Sequence, residues 1–386
     1  AVSKTEIGKS GDYNLTGEKY KINAILNSNY EFALLANICE INPETVDPAT
    51  LNTEEFIYID IASVENGTGK INYDNIIKKE DAPSRARRKI QNNDIILSTV
   101  RPNLKAFGFI KNPPHNSISS TGFAVLRPKK SLNSKFLFYN LYTDNMVSQM
   151  ISMMGKGSYP SINQSDVSSL KIPLPPLSVQ EEIVVEIESY QKIIDGAKMV
   201  VDNYKPRIEI DENWEIVELG KLYKNLDGKR KPVTKSVRKE GIYPYYGASG
   251  IVDYVEDYIF DEKLLLVSED GANLLARSTP IAFSIDGKVW VNNHAHVLKF
   301  ESYHLQKYIE YYINSIDVST YVTGSAQPKL NQQSLNRILI PLPSDKTQQQ
   351  IVSQIENEQA LVNANKELIA IYEQKIKDRI SKVWEE

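Results

Sequence analysis

The sequence predicts an α+β protein in which two divergent, sheet-rich domains alternate with two matching long helices. Three observations predict this: an internal repeat, strand-like runs ahead of each repeat copy, and apolar heptads within each copy. "KIPLPPLSVQEEIVVEIE" (171–188) and "LIPLPSDKTQQQIVSQIE" (339–356) align without a gap at an offset of 168 positions. The agreement extends over about forty residues, so the chain carries two copies of one structural unit.

Each copy is preceded by a longer region of strand-like runs. "FIYIDIASV", "DIILSTV" and "FAVLRP" lie in the first region, and "LLLVSEDG", "VWVNN" and "HVLKF" lie in the second. β-Branched and aromatic residues favour strands, and the Gly, Asn and Pro residues between them favour short turns. The sequence therefore predicts a mixed β-sheet with short helices in each domain.

Each copy then continues into a long helical pattern with apolar residues at heptad spacing. The predicted seam consists of Ile183, Ile187, Ile194 and Val201 in the first helix and Ile351, Ile355, Val362 and Ile369 in the second. The offset between the copies is a whole number of heptads, so the two seams superpose. Two helices with the same narrow apolar stripe are predicted to pair as a coiled coil. The alternative is that each helix packs separately on its own domain.

These patterns divide the chain into five predicted segments. They are an N-terminal extension (1–29), a first domain (30–177), a first spacer helix (178–210), a second domain (211–343) and a second spacer helix (344–386). The single cysteine, Cys39, excludes an internal disulfide framework and a cysteine-rich zinc site. No stretch approaches the length of a membrane span and the first residues lack a secretory-signal pattern, so a cytoplasmic protein without a membrane partner is predicted.

The charge is unevenly distributed along the chain. The net charge of −4 does not by itself favour nucleic acid. However, residues 221–239, "KLYKNLDGKRKPVTKSVRK", carry eight bases and one acid, and residues 81–105 carry six bases and two acids. Local fields steer association, so DNA remains a candidate partner.

Candidate DNA contacts follow from residue type within these regions. Arg and Lys bind guanine edges or phosphates, and Asn reads adenine. The candidates in the first domain are Arg85, Arg87, Arg101, Asn103 and Lys105. Those in the second domain are Lys229, Arg230, Lys231, Tyr246, Ser249, Asn273, Arg277, Asn292, Asn293 and His294. Gly247 and Gly250 are predicted to form a tight turn that lets the backbone approach DNA.

The two junctions resemble those of type I restriction-modification specificity (S) subunits. The similar stretches are "GSYPSINQSDVSSLKIPLPPLSVQEEIV" and "GSAQPKLNQQSLNRILIPLPSDKTQQQIV". In addition, "YPYYGASGIVDYVEDYIFDEKLLLVSEDGAN" (243–273) resembles a pattern in the target recognition domains of that family. The resemblance implies two target recognition domains separated by an antiparallel coiled coil, in a pseudo-twofold repeat. It further implies a subunit without catalytic residues, cofactor or metal, which binds double-stranded DNA, docks two DNA adenine methyltransferase subunits and recruits restriction/translocase subunits.

Other functions are left open by the sequence. "GDYNLTGEKYKI", within residues 1–29, resembles the tail of an adenine methyltransferase polypeptide. The chain could therefore be the C-terminal recognition part of a fused single-chain methylase or restriction enzyme. A self-contained methylase or nuclease, and a tether that joins proteins without touching DNA, are two further alternatives. His294 and His296 have strand spacing and are interpreted as hydrogen-bonding residues rather than zinc ligands.

Overall fold

The computed structural model describes residues 28–155, 160–324 and 326–385, and the chain divides into two compact units. Unit 1 contains the residues up to Lys198 together with those from Glu367 onward, and unit 2 is Met199–Lys366. Each unit holds one sheet-rich domain and a part of each long helix. The predicted extension falls almost wholly on residues 1–27, which lie outside the described residues. Within the described ranges, no helix has the length and apolar character that crossing a membrane requires.

Unit 1 contains two four-stranded sheets and a two-stranded ribbon in its described part. Its strands are β1 (Phe32–Leu34), β2 (Cys39–Ile41), β3 (Glu55–Ile59), β4 (Ile76–Lys78), β5 (Ala86–Lys89), β6 (Ile95–Ser98), β7 (Phe107–Phe109), β8 (Ser117–Ser120), β9 (Phe123–Pro128) and β10 (Lys171–Pro173). The sheets have the orders β2-β9-β6-β7 and β4-β3-β8-β5, and β1 pairs with β10. Strands β3 and β8 run parallel, so their carboxyl ends lie at the same edge of the sheet.

Unit 2 repeats this topology strand for strand. Its strands are β11 (Glu215–Glu218), β12 (Lys224–Asn225), β13 (Glu240–Gly247), β14 (Gly250–Val255), β15 (Phe260–Asp261), β16 (Leu264–Ser268), β17 (Ala282–Ile285), β18 (Lys288–Val291), β19 (Ala295–Lys299) and β20 (Leu339–Leu342). The sheets have the orders β12-β19-β16-β17 and β14-β13-β18-β15, and β11 pairs with β20. The central pair, β13 and β18, is again parallel. The repeat therefore extends through the regions in which the two sequences diverge.

The helices are short except for two. They are α1 (Leu35–Ile38), α2 (Ser134–Leu141), α3 (Asp144–Met153), α4 (Gln164–Ser169), α5 (Leu177–Asn203), α6 (Asn273–Ala276), α7 (Tyr303–Ser315), α8 (Gln332–Asn336) and α9 (Asp345–Glu385). Helix α5 ends seven residues before the predicted end of the first spacer helix at position 210. Pro206 explains the difference, because proline lacks a donor for the helix and disfavours helical geometry at Lys205.

A buried glutamine fastens the start of each long helix to its domain. Gln180 is fully buried, and its Nε2 donates to the carbonyl oxygen of Pro175 (2.8 Å). Gln348, at the equivalent repeat position, donates in the same way to the carbonyl oxygen of Pro343 (2.9 Å). The Gln180 side chain also accepts a hydrogen bond from the backbone N–H of Asn133 (2.8 Å). The repeated motif is therefore a structural joint between strand and helix.

The two long helices pair antiparallel within each unit. In unit 1, Arg379 lies 2.5 Å from Glu186, whereas Glu373 lies 3.5 Å from Lys198, so residue numbers fall along α9 as they rise along α5. In unit 2, the hydroxyl of Tyr204 lies 3.2 Å from a carboxylate oxygen of Glu358. Together with the repeated sheets, this confirms the predicted α+β fold class with two sheet-rich domains and an antiparallel helix pair.

The predicted seam is protected from solvent, but it does more than join the helices. Ile183 and Ile187 are buried in one cluster with residues of the first domain such as Phe136. Ile351 packs against the core of the second domain. The remaining seam residues, Ile194, Val201, Ile355, Val362 and Ile369, are buried or half-buried. The first turns of each helix therefore lie on the domain that precedes them, so the two packing arrangements proposed from sequence are both present.

The last described turns of α9 complete the core of the first domain. Trp384 is 2% exposed, and its Nε1 donates to Oδ1 of Asn140 (2.8 Å). Its ring centroid lies 5.8 Å from that of Phe32. Ser28 donates a hydrogen bond to the carbonyl oxygen of Val383 (2.7 Å). The first domain thus depends on residues more than 200 positions away in the chain.

We expect Trp384→Ala to lower the stability of unit 1 by about 3–5 kcal/mol, because it removes a buried aromatic side chain and leaves Oδ1 of Asn140 without its donor. Chemical denaturation of the full chain measures the loss. Ile371→Ala on the same helix is the matched control, since Ile371 is 53% exposed. Equal stability of the two variants would contradict the docking of Trp384.

Candidate nucleic-acid interface

Loops that follow three strands meet at one edge of unit 2. Strands β13 and β18 end side by side, and the backbone N–H of Asn292 donates to the carbonyl oxygen of Tyr246 (3.0 Å). The backbone N–H of Glu269, just after β16, donates to the carbonyl oxygen of His294 (2.9 Å). We call residues 229–231, 247–250, 269–270 and 292–294 the loop edge of unit 2.

The basic segment 229–231 joins this edge through two contacts. Trp290 donates from Nε1 to the carbonyl oxygen of Lys231 (2.6 Å). The backbone N–H of Lys231 points to the carbonyl oxygen of Val291 (3.4 Å). Candidates predicted from separate parts of the sequence are thereby brought together: Lys229, Arg230, Lys231, Tyr246, Gly247, Ser249, Gly250, Asn292, Asn293 and His294.

The glycine pair forms the predicted turn. Gly247 and Gly250 face each other where β13 and β14 meet, and Ser249 is exposed at the tip. Gly250 has φ of +122°, a region that side chains rarely adopt. A Cβ at Gly247 would lie 3.0 Å from Cγ1 of Val252, so the backbone there is closely packed.

The candidates at this edge differ in how far their side chains are exposed to solvent. Lys229, Lys231, Asn293 and His294 are exposed, and the His294 ring lies 2.9 Å from the carboxylate of Asp270. Two other candidates make contacts inside the protein. Tyr246 is half-buried with its ring 6.0 Å from that of Phe283, and Asn292 is buried, where it accepts the backbone N–H of His294 (2.8 Å).

Arg230 is committed to contacts inside the protein. Its Nη1 lies 2.6 Å from Glu269 and donates to the carbonyl oxygen of Ala295 (2.8 Å), and its side chain is only 14% exposed. Asp227 lies 3.5 Å from Nη2 of Arg230 and 2.6 Å from Nδ1 of His296. Of the two histidines, only His294 lies at the surface, since His296 is 1% exposed.

The two acids of this cluster are held in their charged form. Burial raises the pKa of Asp227, but the hydrogen bond and charge of His296, the N–H of Val297 and the charge of Arg230 together lower it below its ordinary value. Burial likewise raises the pKa of Glu269, but the hydrogen bonds of Arg230 and Lys329 and the charges of His296 and Arg230 together lower it below its ordinary value.

Asp227, Glu269 and His296 have the spacing of a metal site, with donor atoms within 4.8 Å of one another. Arg230 and Lys329 supply the positive charge to the carboxylates, at 2.6 Å and 3.1 Å from Glu269. A divalent ion would compete with both bases, so the donor set fits an internal ion network better than a metal centre.

The two remaining candidates in unit 2 stabilise other loops. Arg277 donates from Nη2 to the carbonyl oxygens of Ile313 (3.0 Å) and Asn314 (2.8 Å), the last turn of α7. Burial lowers the pKa of this guanidinium. Asn273 bonds to Thr279 and so closes the loop after α6.

Unit 1 has an equivalent edge with a different set of side chains. The backbone N–H of Thr99, which follows β6, donates to the carbonyl oxygen of Gly122, which follows β8 (2.9 Å). The backbone N–H of Thr121 donates to the carbonyl oxygen of Arg85 (2.8 Å). We call residues 85, 99–103 and 120–122 the loop edge of unit 1. Arg85, Arg101 and Asn103 are exposed there.

The other two candidates of unit 1 are engaged by neighbouring residues. Arg87 lies 3.8 Å from Asp47 and donates to the carbonyl oxygen of Ala86 (3.0 Å). Lys105 donates to the carbonyl oxygen of Tyr142 (3.2 Å) and lies 3.8 Å from Asp144.

Sequence reasoning omitted Arg88. It is half-buried, and among the described residues its Nε and the Oγ of Ser119 opposite have no hydrogen-bond partner. Burial lowers the pKa of its guanidinium. In the sequence, the run of basic residues around Arg88 was the signal that could have pointed to it. The pairing of β5 with β8 shifts register between Ala86 and Arg88. Simple strand alternation therefore could not show which arginine points inward.

Comparison with known proteins connects this paired architecture to one family. Residues 27–198 and 211–371 each match the family described as Type I restriction modification DNA specificity domain. The chain belongs to this type I specificity family. Its two matches coincide with the two repeat copies, so each unit is built around one specificity domain.

Named members of the type I specificity family are similar over parts or most of the chain. A Haemophilus influenzae protein assigned as a type I restriction enzyme specificity subunit is 32% identical over 162 residues, 42% of this chain and 38% of that protein. The MjaIX specificity subunit of Methanocaldococcus jannaschii is 21% identical over 87% of this chain and 84% of that protein. The chain thus spans under two fifths of the length of the first of these relatives.

A solved structure supports the same fold. A chain from work on complex assembly and conformational transition of the type I R-M system has a TM-score of 0.60 and 23% identity. The match covers 92% of this chain and 97% of that chain. At this level of identity the likeness bears on the fold, which it shares with the type I specificity family.

We expect unit 2 to lose stability in acid because of Asp227 and Glu269. Their pKa values are lowered in the folded state, so their contribution is complete above the ordinary values of 3.8 and 4.5 and is lost as the pH falls through the lowered ones. Asp227→Asn should lower the free energy of unfolding by about 1–3 kcal/mol at neutral pH. It should also make the stability fall less steeply as the pH is lowered. Denaturation curves across pH measure both effects.

Asp286→Asn is the matched control, because Asp286 is 69% exposed and 3.9 Å from Lys263. The same fall in stability with decreasing pH in wild type and Asp227→Asn would show that Asp227 is not held in its charged form.

Proposed function

We propose that this chain is the DNA-specificity component of a type I restriction-modification complex and binds a bipartite target with its two domains. The carrying observation is that two loop edges of the same topology present different exposed side chains. Loops on a rigid scaffold are where recognition residues usually lie. Two such edges on one chain support recognition of two different half-sites.

The exposed residues suit contacts with duplex DNA. The edge of unit 1 offers Arg85, Arg101 and Asn103, which match guanine edges, phosphates and adenine. The edge of unit 2 offers Lys229, Lys231, Ser249, Asn293 and His294, a set richer in phosphate contacts. The two edges are therefore expected to read different sequences.

In this proposal the chain itself catalyses no reaction, and methyl transfer and DNA cleavage are carried out by its partner subunits. We infer that the helix pair docks DNA adenine methyltransferase subunits, two in the complete assembly, and that restriction/translocase subunits join the same complex in the cytoplasm. The seam is buried or half-buried, so docking has to use the outer faces of the helices. Val185, Met199, Leu361 and Ile371 are apolar and more than half exposed there, which favours a protein partner.

Phosphate contact by the basic segment can be measured directly. We expect Lys229→Ala with Lys231→Ala to weaken binding of duplex DNA and to reduce the slope of log affinity against log salt by about two, since each phosphate contact contributes about 0.9. Fluorescence anisotropy across salt concentrations gives the slope. Lys366→Ala, an exposed lysine of α9, is the control, and an unchanged slope in the double variant would remove segment 229–231 from the DNA surface.

The bipartite target can be tested through helix length. Inserting four residues after Lys198 and after Lys366, which are equivalent repeat positions, lengthens each helix by about 6 Å. We expect both half-sites to be kept and the gap between them to grow by about one or two base pairs. Methylation mapping of DNA from cells that also carry the cognate methyltransferase reads out the target. The same gap at lower yield would mean that helix length does not set the spacing.

A further inference from the structure

Four segments of unit 2 meet at one buried ion network. Asp227 follows β12, Glu269 follows β16, His296 lies in β19, and Leu330 precedes α8. The Nδ1 of His296 lies 2.6 Å from Asp227, and its Nε2 lies 2.7 Å from the carbonyl oxygen of Leu330. The backbone N–H of Leu330 donates to the carbonyl oxygen of Glu269 (2.8 Å), so the segment before α8 is also bound to the loop after β16.

Arg230 connects the same segments from the solvent side. Its guanidinium lies 2.6 Å from Glu269 and 3.5 Å from Asp227, and it donates to the carbonyl oxygen of Ala295 (2.8 Å). Lys329 binds the other oxygen of Glu269 (3.1 Å). The planar, multiply donating arginine suits this bridge in a way that lysine cannot reproduce.

His296 faces hydrogen-bond acceptors on both sides. A carboxylate oxygen lies 2.6 Å from Nδ1 and a carbonyl oxygen 2.7 Å from Nε2, so the ring is held at both ends. A buried group with this many partners is strongly constrained, because loss of one contact leaves another polar group unpaired.

Unit 1 lacks this network at the equivalent positions. The ladder between β6 and β9 matches that between β16 and β19 and places Ala124 where unit 2 has His296. Pro43 stands where unit 2 has Asp227, since Asn42 and Leu226 make equivalent backbone hydrogen bonds to Val125 and Val297. The charged cluster is therefore not required by the shared fold.

We propose that Arg230 and His296 are positioning residues that hold the loop edge of unit 2 in its DNA-binding arrangement. The network joins segment 229–231 to residues 269–270, 293–295 and 329–330, so the exposed Lys229, Lys231, Asn293 and His294 move as one surface. DNA contact is left to these exposed residues. This inference rests on the proposed DNA-binding function.

Replacement of Arg230 by lysine distinguishes positioning from direct contact. A phosphate contact keeps its charge in Arg230→Lys, so affinity for duplex DNA and its salt slope would stay near wild type. A positioning arginine loses its bridge, so Arg230→Lys should reduce the slope by at least about one and resemble Arg230→Ala. Arg337→Lys, the same exchange at an exposed arginine just after α8 and outside the loop edge, is the matched control, which should keep the wild-type slope. A wild-type slope in Arg230→Lys overturns the proposal.

Hydrogen exchange tests the coupling without DNA. In Arg230→Lys and His296→Gln we expect the amides of Lys231, Glu269 and Leu330 to exchange on the order of tenfold faster, while those of β16 and β19 keep their protection. Faster exchange at 229–231 alone would overturn the proposal. His304→Gln, a histidine of α7 outside the network, is the control and should leave all of these amides unchanged.

The two tests also separate this inference from the proposed function. If the wild-type chain binds no duplex DNA, in the presence or absence of its methyltransferase partner, DNA recognition fails and the positioning role fails with it. If the wild type binds and the four segments exchange independently, DNA recognition stands and the positioning role fails.

Discussion

Burial of the first turns of each long helix inside the neighbouring domain is the constraint on which the rest of the structure depends. Ile183, Val184 and Ile187 are core residues of the first domain as much as helix residues. Val352 has the same role in the second domain. Each fully buried side chain of this size contributes about 1.5–3 kcal/mol, and a close-packed core does not let the helix tilt without opening cavities. Within each unit, the helix and the loop edge are therefore held in a fixed relation.

The same scaffold supports two chemically different edges. In both units a backbone N–H next to the junction donates to the loop after the buried strand: Ile162 to Thr99, and Leu330 to Glu269, both within 2.8–2.9 Å. Backbone hydrogen bonds do not depend on side-chain identity, so the edges can change residues while the loops keep their positions. The exposed residues can therefore differ between the two units while the scaffold stays the same.

Counts of basic residues overstate the charge available to a ligand. Of the three consecutive bases 229–231, only Lys229 and Lys231 are exposed, because Arg230 is neutralised by Asp227 and Glu269. Moving a charge out of water costs several kcal/mol, and at Arg230 two acids offset that cost. Arg87 and Lys105 are likewise paired with acids. The exposed, unneutralised positive charge is accordingly smaller than the basic runs indicate.

The sequence by itself determined the repeat, the paired domains and the two long helices, because these features are carried by local periodicity and by matching words such as "IPLPPLSVQ" and "IPLPSDKTQ". It also contained Pro206, which accounts for the end of α5. Tertiary structure alone decided which basic residues face solvent. Asp227 and Glu269 lie 42 positions apart and meet at Arg230 only when β12 and β16 both pair with β19. The bulge at Arg87 turns Arg88 inward. Charge pairing across strands depends on sheet register, and register is set by contacts between residues distant in the chain, so no local pattern could reveal it.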